Sequence, residues 1–293
     1  MEQRAVVTAG TGGIGLETAL GLAARGFAVT VVGRDADRGA RAVERITEVA
    51  TGGAPRFLAA DLASLGEVRT LAARLAAEGP LNVLVNNVGA MFPDRRQTVD
   101  GIEASFAVNH LSPYLLTELL IDQLQDGGAS RIVNVTSGAI QVAKRTFDAV
   151  EPPGGYYGFH WYGRAKLANL AYTLDLADRL RGRGISVFAA DPGGAATDMT
   201  NGTMRSPKIV SPALRLLWPL VRRTFERSTA GPASVAARSS VVAATDASLD
   251  GRTGLLIGPE ARPVPAYRGS TDARTVADVL RLSRELAPLG DGR

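Results

Sequence analysis

A doubly wound α/β domain, with one parallel sheet of seven strands covered by helices on both faces, is the fold the sequence predicts from three observations. Short apolar, β-branched runs alternate with amphipathic stretches of helical period along most of the chain. A glycine-rich turn follows the first such run and opens the first helix. The 293 residues, 45% apolar and 21% charged, can bury one large core, and no internal repeat or low-complexity linker divides them. Residues 1–293 therefore read as a single domain.

The elements follow in order. Arg4–Thr8 is expected as the first strand because Ala5-Val6-Val7 is a short buried-type run. A helix should occupy residues 13–25, a strand 27–33 and an amphipathic helix 35–50. The alternation continues with strands at 56–60, 81–86, 131–136, 185–190 and 254–257. Helices are expected at 64–78, 98–125, 157–181 and 234–245, with a helical tail at 271–287. Ser64, followed three residues later by Glu67, has the form of a capping box. The Pro- and Gly-containing stretches 151–157 and 200–212 read as loops near the carboxyl ends of strands, where such sheets bind ligands.

Composition excludes several classes of function. Net charge is +4, but the arginines are scattered along amphipathic helices without a basic run, so no nucleic-acid partner is expected. Cysteine is absent, which removes disulfides, thiolate metal sites and cysteine nucleophiles. His110 and His160 are the only histidines, and no metal is expected. No segment reaches the roughly 18 apolar residues of a spanning helix, and the first strand begins almost at once. The expectation is a cytoplasmic protein without a signal peptide or transmembrane segment.

Chemistry concentrates at a few places. The run Thr8-Ala9-Gly10-Thr11-Gly12-Gly13-Ile14-Gly15 lies between the first strand and first helix. Glycines there admit a pyrophosphate, and the helix terminus supplies amide donors. About twenty residues on, the second strand ends in Gly33-Arg34-Asp35. An arginine at that point accommodates the 2′-phosphate of NADP, whereas Asp35 could instead read the hydroxyls of NAD; NADP(H) is the preferred reading. Tyr162 and Lys166 stand four residues apart, on one face of a helix. A neighbouring ammonium would lower the phenol's pKa and fit it for proton transfer to a carbonyl oxygen. Only Lys144, Lys166 and Lys208 interrupt an otherwise all-arginine set of basic residues, which suggests a need for a compact cation.

These motifs together resemble the short-chain dehydrogenase/reductase family, and in particular its retinol-dehydrogenase-like branch, over nearly the whole chain. Thr8, Gly13, Ile14 and Gly15 match the family's loop, with Ala9 where its first glycine stands; Gly10, Gly12 and Gly15 keep the broader Gly-x-Gly-x-x-Gly spacing. Asp61-Leu62 resembles the pair that contacts adenine, and Asn86-Asn87-Val88-Gly89 the Asn-Asn-Ala-Gly segment beside the cofactor. Asn109 is similar to the asparagine of the catalytic group, and Ser137 to its serine, here twenty-five residues before Tyr162. The added length, including Pro152-Pro153-Gly154-Gly155, is similar to that branch, as is the stretch from Tyr162 through Asn169. Pro192, Gly193 and Thr197 match the segment at the nicotinamide end, preceded by Asp191 where many relatives carry histidine.

The resemblance implies a Rossmann fold, NADP(H), and a ketoreductase-type reaction on a lipophilic or polycyclic carbonyl or secondary alcohol. Tyr162 would be general acid/base, Ser137 would bond the substrate oxygen, and Lys166 would bind the nicotinamide ribose. Asn109 would hold a water that links Lys166 to solvent. Thr11 and Gly12 would join the other loop residues at the cofactor, with Asn87 and Gly89 beside it. Residues 199–227 would form a lid, with Leu217 and Trp218 touching a bulky substrate; a surface-lying membrane contact is the other reading of Leu214 to Arg223. His160 and Trp161 could line the pocket but stay outside the expected site. A homo-oligomer is implied. Redox-assisted epimerisation and a non-catalytic NADP-sensing or scaffold role remain alternatives.

Overall fold

Eight strands form one sheet in the order β3-β2-β1-β4-β5-β6-β7-β8. They are β1 (Arg4–Thr8), β2 (Ala28–Gly33), β3 (Arg56–Ala59), β4 (Val83–Asn86), β5 (Ser130–Val135), β6 (Ile185–Ala190), β7 (Leu255–Ile257) and β8 (Pro263–Val264). The structure is a computed structural model that describes residues 2–151, 154–267, 270 and 272–290. Thr271 of the expected tail, and Pro152 and Pro153 of the expected loop, lie outside the described residues. The first seven strands are parallel; β8 pairs antiparallel with β7. The expected seven-stranded sheet thus gains an eighth strand. Two residues carry no periodicity to read, and Pro263 is tolerated there because an edge strand need not donate on both sides.

The central strands are apolar at nearly every position because helices cover both sheet faces. Val6, Val32, Leu84, Ile132 and Val187 point to one side, and their neighbours Val7, Val31, Val85, Val133 and Phe188 to the other. Helices α1 (Gly13–Ala23) and α2 (Ala36–Thr47) lie on the second side. Helix α3 (Leu65–Ala76) lies on the first.

The expected helix at 98–125 is broken. Residues 98–103 form a turn bridged from Gln97 to Glu103, and the Glu103 carboxylate accepts from Ser105 N (2.7 Å) and Phe106 N (2.8 Å) to start α4 (Ala104–Phe106). A π-helical turn at Ala107–Leu111 follows, then α5 (Ser112–Leu119) and α6 (Ile121–Asp126). Helix α7 (Gly158–Arg179) packs beside them. Residues 198–228 fold as α8 (Asp198–Asn201), single 3-10 turns at Thr203–Arg205 and Pro207–Ile209, α9 (Pro212–Arg215) and α10 (Trp218–Ser228). The expected helix at 234–245 is split into α11 (Ala233–Ala236) and α12 (Arg238–Thr245), and α13 (Ala273–Leu286) closes the chain.

Half of the expected capping box forms. Ser64 Oγ accepts from Glu67 N (3.3 Å), while Glu67 Oε2 accepts from Asp61 N (2.6 Å) instead of from Ser64. Ser64 N is already bonded to Asp61 O, so the glutamate reaches past it.

Candidate active site

The strand order reverses between β1 and β4, and ligands in such sheets bind at the carboxyl ends beside that switch. A cavity of about 800 Å³ lies there. One end of it is the N-terminus of α1, where no side chain caps the helix and the amides at its start face the cavity. Ala9 takes a left-handed conformation (φ +50°) where the family pattern has glycine. Gly15 must be glycine, since a Cβ there would collide with the Ala9 carbonyl and the Asn87 amide.

Thr11, Gly12, Gly13, Ile14, Gly15, Arg34, Asp61 and Leu62 all line this end. Arg34 is 74% exposed, its Nη1 4.0 Å from Asp61 Oδ1. Asp35 caps α2 by accepting from Arg38 N (2.9 Å); that bond holds its carboxyl below the ordinary range and turns it toward the helix. Arg38, which sequence reasoning missed, also lines the cavity, and its guanidinium lies over Gly12. Two arginines four residues apart, Arg34 just past β2 and Arg38 on α2, thus flank this end of the cavity.

Asn87 and Gly89 line the middle. Asn87 Nδ2 donates to Thr8 O (3.1 Å), and Thr8 Oγ1 accepts from Val88 N (3.1 Å), locking this segment to the glycine loop. Beneath it runs a buried polar chain. Asn86 Nδ2 donates to Thr117 and Asn134 (both 2.8 Å), Asn134 Nδ2 to Thr173 Oγ1 (2.9 Å), and Thr173 to Asn169 O (2.6 Å). These bonds fix β4, β5, α5 and α7 relative to one another.

Ser137, Tyr162 and Lys166 converge on the cavity, with Pro192, Gly193 and Thr197 opposite. Ser137 lies two residues past β5 and caps the following 3-10 turn, accepting from Ala139 N (3.2 Å). Its hydroxyl lies near the Tyr162 phenol and works against the burial that raises the phenol's pKa. Helix α7 reaches this turn because Gly163 lies against the Ala139 carbonyl, leaving no room for a side chain. Lys166 is 1% exposed and donates to Val88 O (3.0 Å) and Val135 O (2.9 Å).

The titration behaviour differs from the expected one. Burial pushes Tyr162 up to about 12, opposed by the neighbouring Ser137 hydroxyl and reinforced by the Asp191 charge. Burial pushes Lys166 down to about 7. The ammonium aims at two carbonyls, 5.9 Å from the phenol ring centroid, and does not offset the desolvation of the tyrosine. The phenol therefore holds its proton.

Three expected site residues stand behind the cavity wall. Thr8 is 1% exposed and bridges two loops; Gly10 packs under β2, where a Cβ would sit 2.7 Å from Val31 Cγ1. Asn109 is fully buried in the π-helical turn. Its side chain donates to Ala90 O and Ser105 O (2.8 Å each) and accepts from Ala90 N (3.0 Å). Both amide hydrogens and one lone pair of the amide oxygen go to protein backbone, so the side chain braces the Ala90 loop next to Lys166.

Asp191 is the acidic residue sequence reasoning left without a role. It lines the cavity at 3% exposure; Oδ1 accepts from Gly193 N (2.9 Å), and Oδ2 accepts from the Tyr267 hydroxyl. Its histidine counterpart in relatives was the one available signal.

The far end is apolar. Met91, Phe92, Phe159, Met199, Met204 and Phe225 line it, with the Phe159 and Phe225 rings 5.0 Å apart. Leu217 is 56% exposed and lies outside the lining; Trp218 packs edge-on behind Phe225 at 6.5 Å. Residues near this end of 199–227 thus reach the cavity, but through Phe225 and the two methionines. Neither His160 nor Trp161 lines it. Among the described residues there is no cluster able to hold a metal, and no helix is long and apolar enough to cross a membrane.

The arrangement fits a nicotinamide dinucleotide: amides at the helix start for a pyrophosphate, arginines at one end, and a tyrosine and lysine beside an apolar chamber at the other. The sequence matches the short chain dehydrogenase family over residues 3–207. It is 34% identical to retinol dehydrogenase 12 of Mus musculus over 227 residues, covering 77% of this chain and 69% of that one. It is 34% identical to polyprenol dehydrogenase of Danio rerio over 260 residues, covering 86% and 77%. The fold superposes on the NADP complex of Pseudomonas aeruginosa RhlG with a TM-score of 0.67 at 25% identity, covering 88% and 95% of the two chains. The chain belongs to the short-chain dehydrogenase/reductase family, whose members use NAD(P)(H).

Proposed function

We propose that the protein is an NADP(H)-dependent oxidoreductase that interconverts a lipophilic carbonyl and its alcohol, with Tyr162 as general acid and base. The observation that carries this reading is the buried Tyr162, which lines with Ser137 and Lys166 a chamber walled by Met91, Phe159, Met204 and Phe225. The names of the retinol and polyprenol relatives point to alcohols of the same apolar class.

NADPH, when bound, supplies the hydride. Ser137 donates its hydroxyl hydrogen to the substrate oxygen and orients the carbonyl. Tyr162 gives its proton to that oxygen as the carbon gains hydride, so carbonyl becomes alcohol and phenol becomes phenolate. In its charged form Lys166, whose Nζ lies beside Gly89, would hold the nicotinamide ribose. Asn109 keeps the Ala90 loop, and with it Val88 O, in place for Lys166. Helix α1 amides hold the pyrophosphate, and Asp61 and Leu62 flank the adenine.

NADP is favoured over NAD because Arg34 and Arg38 both border the adenosine end while Asp35 is engaged as a helix cap. The test follows NADPH and NADH consumption with a panel of apolar aromatic and polyisoprenoid aldehydes and ketones. The parent should turn over with NADPH at least tenfold more efficiently than with NADH, and Arg34→Ala/Arg38→Ala should erase most of that ratio, roughly 1–3 kcal/mol of charge-assisted bonding. Equal use of both cofactors by the parent overturns the NADP assignment; no turnover of any panel member overturns the substrate class.

A further inference from the structure

Residues 199–228 present two unlike sides. The inner side gives Met199, Met204 and Phe225 to the cavity wall, with Trp218 and Val221 packed among them. On the outer side Leu216 is 86% exposed, Leu220 65% and Leu217 56%, adjacent to one another. At 100° per residue Leu220, Arg223 and Arg227 fall on one stripe of α10, opposite Val221 and Phe225, and the exposed Leu216 and Leu217 lie in the turn just before it. Exposed leucines thus lead into two arginines along the free face of α10.

Charge singles out the same segment. Residues 199–228 contain six basic residues and one acidic residue, Glu226, whereas the whole chain has 33 and 29. The remainder carries 27 basic and 28 acidic side chains, so the entire positive excess of the protein sits on this segment. Glu226 is paired with Arg222 (2.7 Å) and Lys208 with Asp94 (3.1 Å), while Arg215 is turned onto the carbonyls of Pro207 and Val210. Arg223 and Arg227 have no ion-pair partner among the described residues. A second copy meeting this face with its own would bring like charges together. Exposed leucines bordered by arginines match a surface with an acyl interior and phosphate groups.

We propose that the outer face of residues 214–227 docks on an anionic phospholipid surface, with Leu216, Leu217 and Leu220 entering the acyl boundary and Arg223 and Arg227 at the phosphates. Docking of this kind lies flat on one leaflet and needs no spanning helix. It is independent of the redox reading, because neither cofactor nor substrate takes part.

Co-sedimentation of the full chain with sucrose-loaded vesicles tests it, using phosphatidylcholine with about one-third phosphatidylglycerol against phosphatidylcholine alone. The parent should pellet with the mixed vesicles, weakly with the neutral ones, and less as salt rises from about 0.05 to 0.5 M. Arg223→Gln/Arg227→Gln should lower partitioning about 25-fold, at roughly fivefold per arginine. Leu216→Ser/Leu220→Ser should lower it about tenfold or more. Both variants should keep the parent's melting temperature and NADPH affinity. The proposal is overturned if the parent does not pellet with anionic vesicles at low salt, or if both folded variants pellet as the parent does. It is also overturned if the parent ignores vesicles while the leucine variant converts an oligomer to monomer by light scattering, which would make this face a contact between copies. The salt and lipid dependence of the unmodified protein decides the matter even where a variant fails to fold.

Discussion

Tyr162 keeps its proton because it is buried and because the Asp191 carboxylate, held by Gly193 N and the Tyr267 hydroxyl, opposes a second negative charge nearby. The neighbouring Ser137 hydroxyl pulls the other way, and Lys166 is turned to carbonyls. These four side chains, with Tyr267 behind Asp191, are the charged and titratable groups around the reacting oxygen. Replacing Asp191 by Asn removes the opposing charge, so the phenolate becomes easier to form. In reduction the alkaline limb, where the proton donor is lost, should move to lower pH; in oxidation the acid limb, where the base appears, should move the same way. Profiles of kcat/KM against pH with NADPH and with NADP⁺ check this, and limbs that stay or move to higher pH count against it. Ser137, Tyr162 and Lys166 were legible in the sequence because their chemistry recurs at fixed places relative to strands and helices. The Asp191 to Tyr267 bond was not, since its partners are 76 residues apart and neither stands in a local pattern.

Helix α7 carries both Tyr162 and Lys166, and Arg164 between them anchors it to the segment before it. This guanidinium is 2% exposed, donates to the carbonyls of Thr146, Ala149 and Val150, and stacks over Phe147 at 4.3 Å. Burial lowers its pKa to about 10, opposed by Glu103, so it remains charged at neutral pH. Arg164→Met strands three carbonyls, which should cost about 3 kcal/mol or more. A melting temperature lower by roughly 6 to 10 °C and faster proteolysis within residues 143–151 are the expected results. An unchanged melt would mean that the segment holds itself. The strands and α7 were readable from apolar runs and a long helical period. The break at 98–111 was not, because Glu103 is an uncommon cap and the π-helical turn comes from bonds between Asn109 and the distant Ala90. Likewise the expected contact at Leu217 and Trp218 followed from apolar character alone, whereas helix phase turns Phe225 inward.

Across the whole molecule, the reversal of strand order between β1 and β4 gathers residues from every part of the chain onto one crevice. Strands apolar at every position announced a sheet covered on both faces, and the glycine loop placed its cofactor end; the two-residue β8 and the exposure of Leu216 and Leu220 needed coordinates to be seen. Proton transfer from Tyr162 is the step on which the functional reading rests. Its most direct test is Tyr162→Phe, assayed for turnover of an established apolar substrate and for NADPH affinity on the same preparation. Loss of the transferable proton should lower kcat about 10²- to 10⁴-fold while the NADPH dissociation constant stays within about twofold. Turnover within about tenfold of the parent would contradict the assignment of Tyr162 as the proton donor.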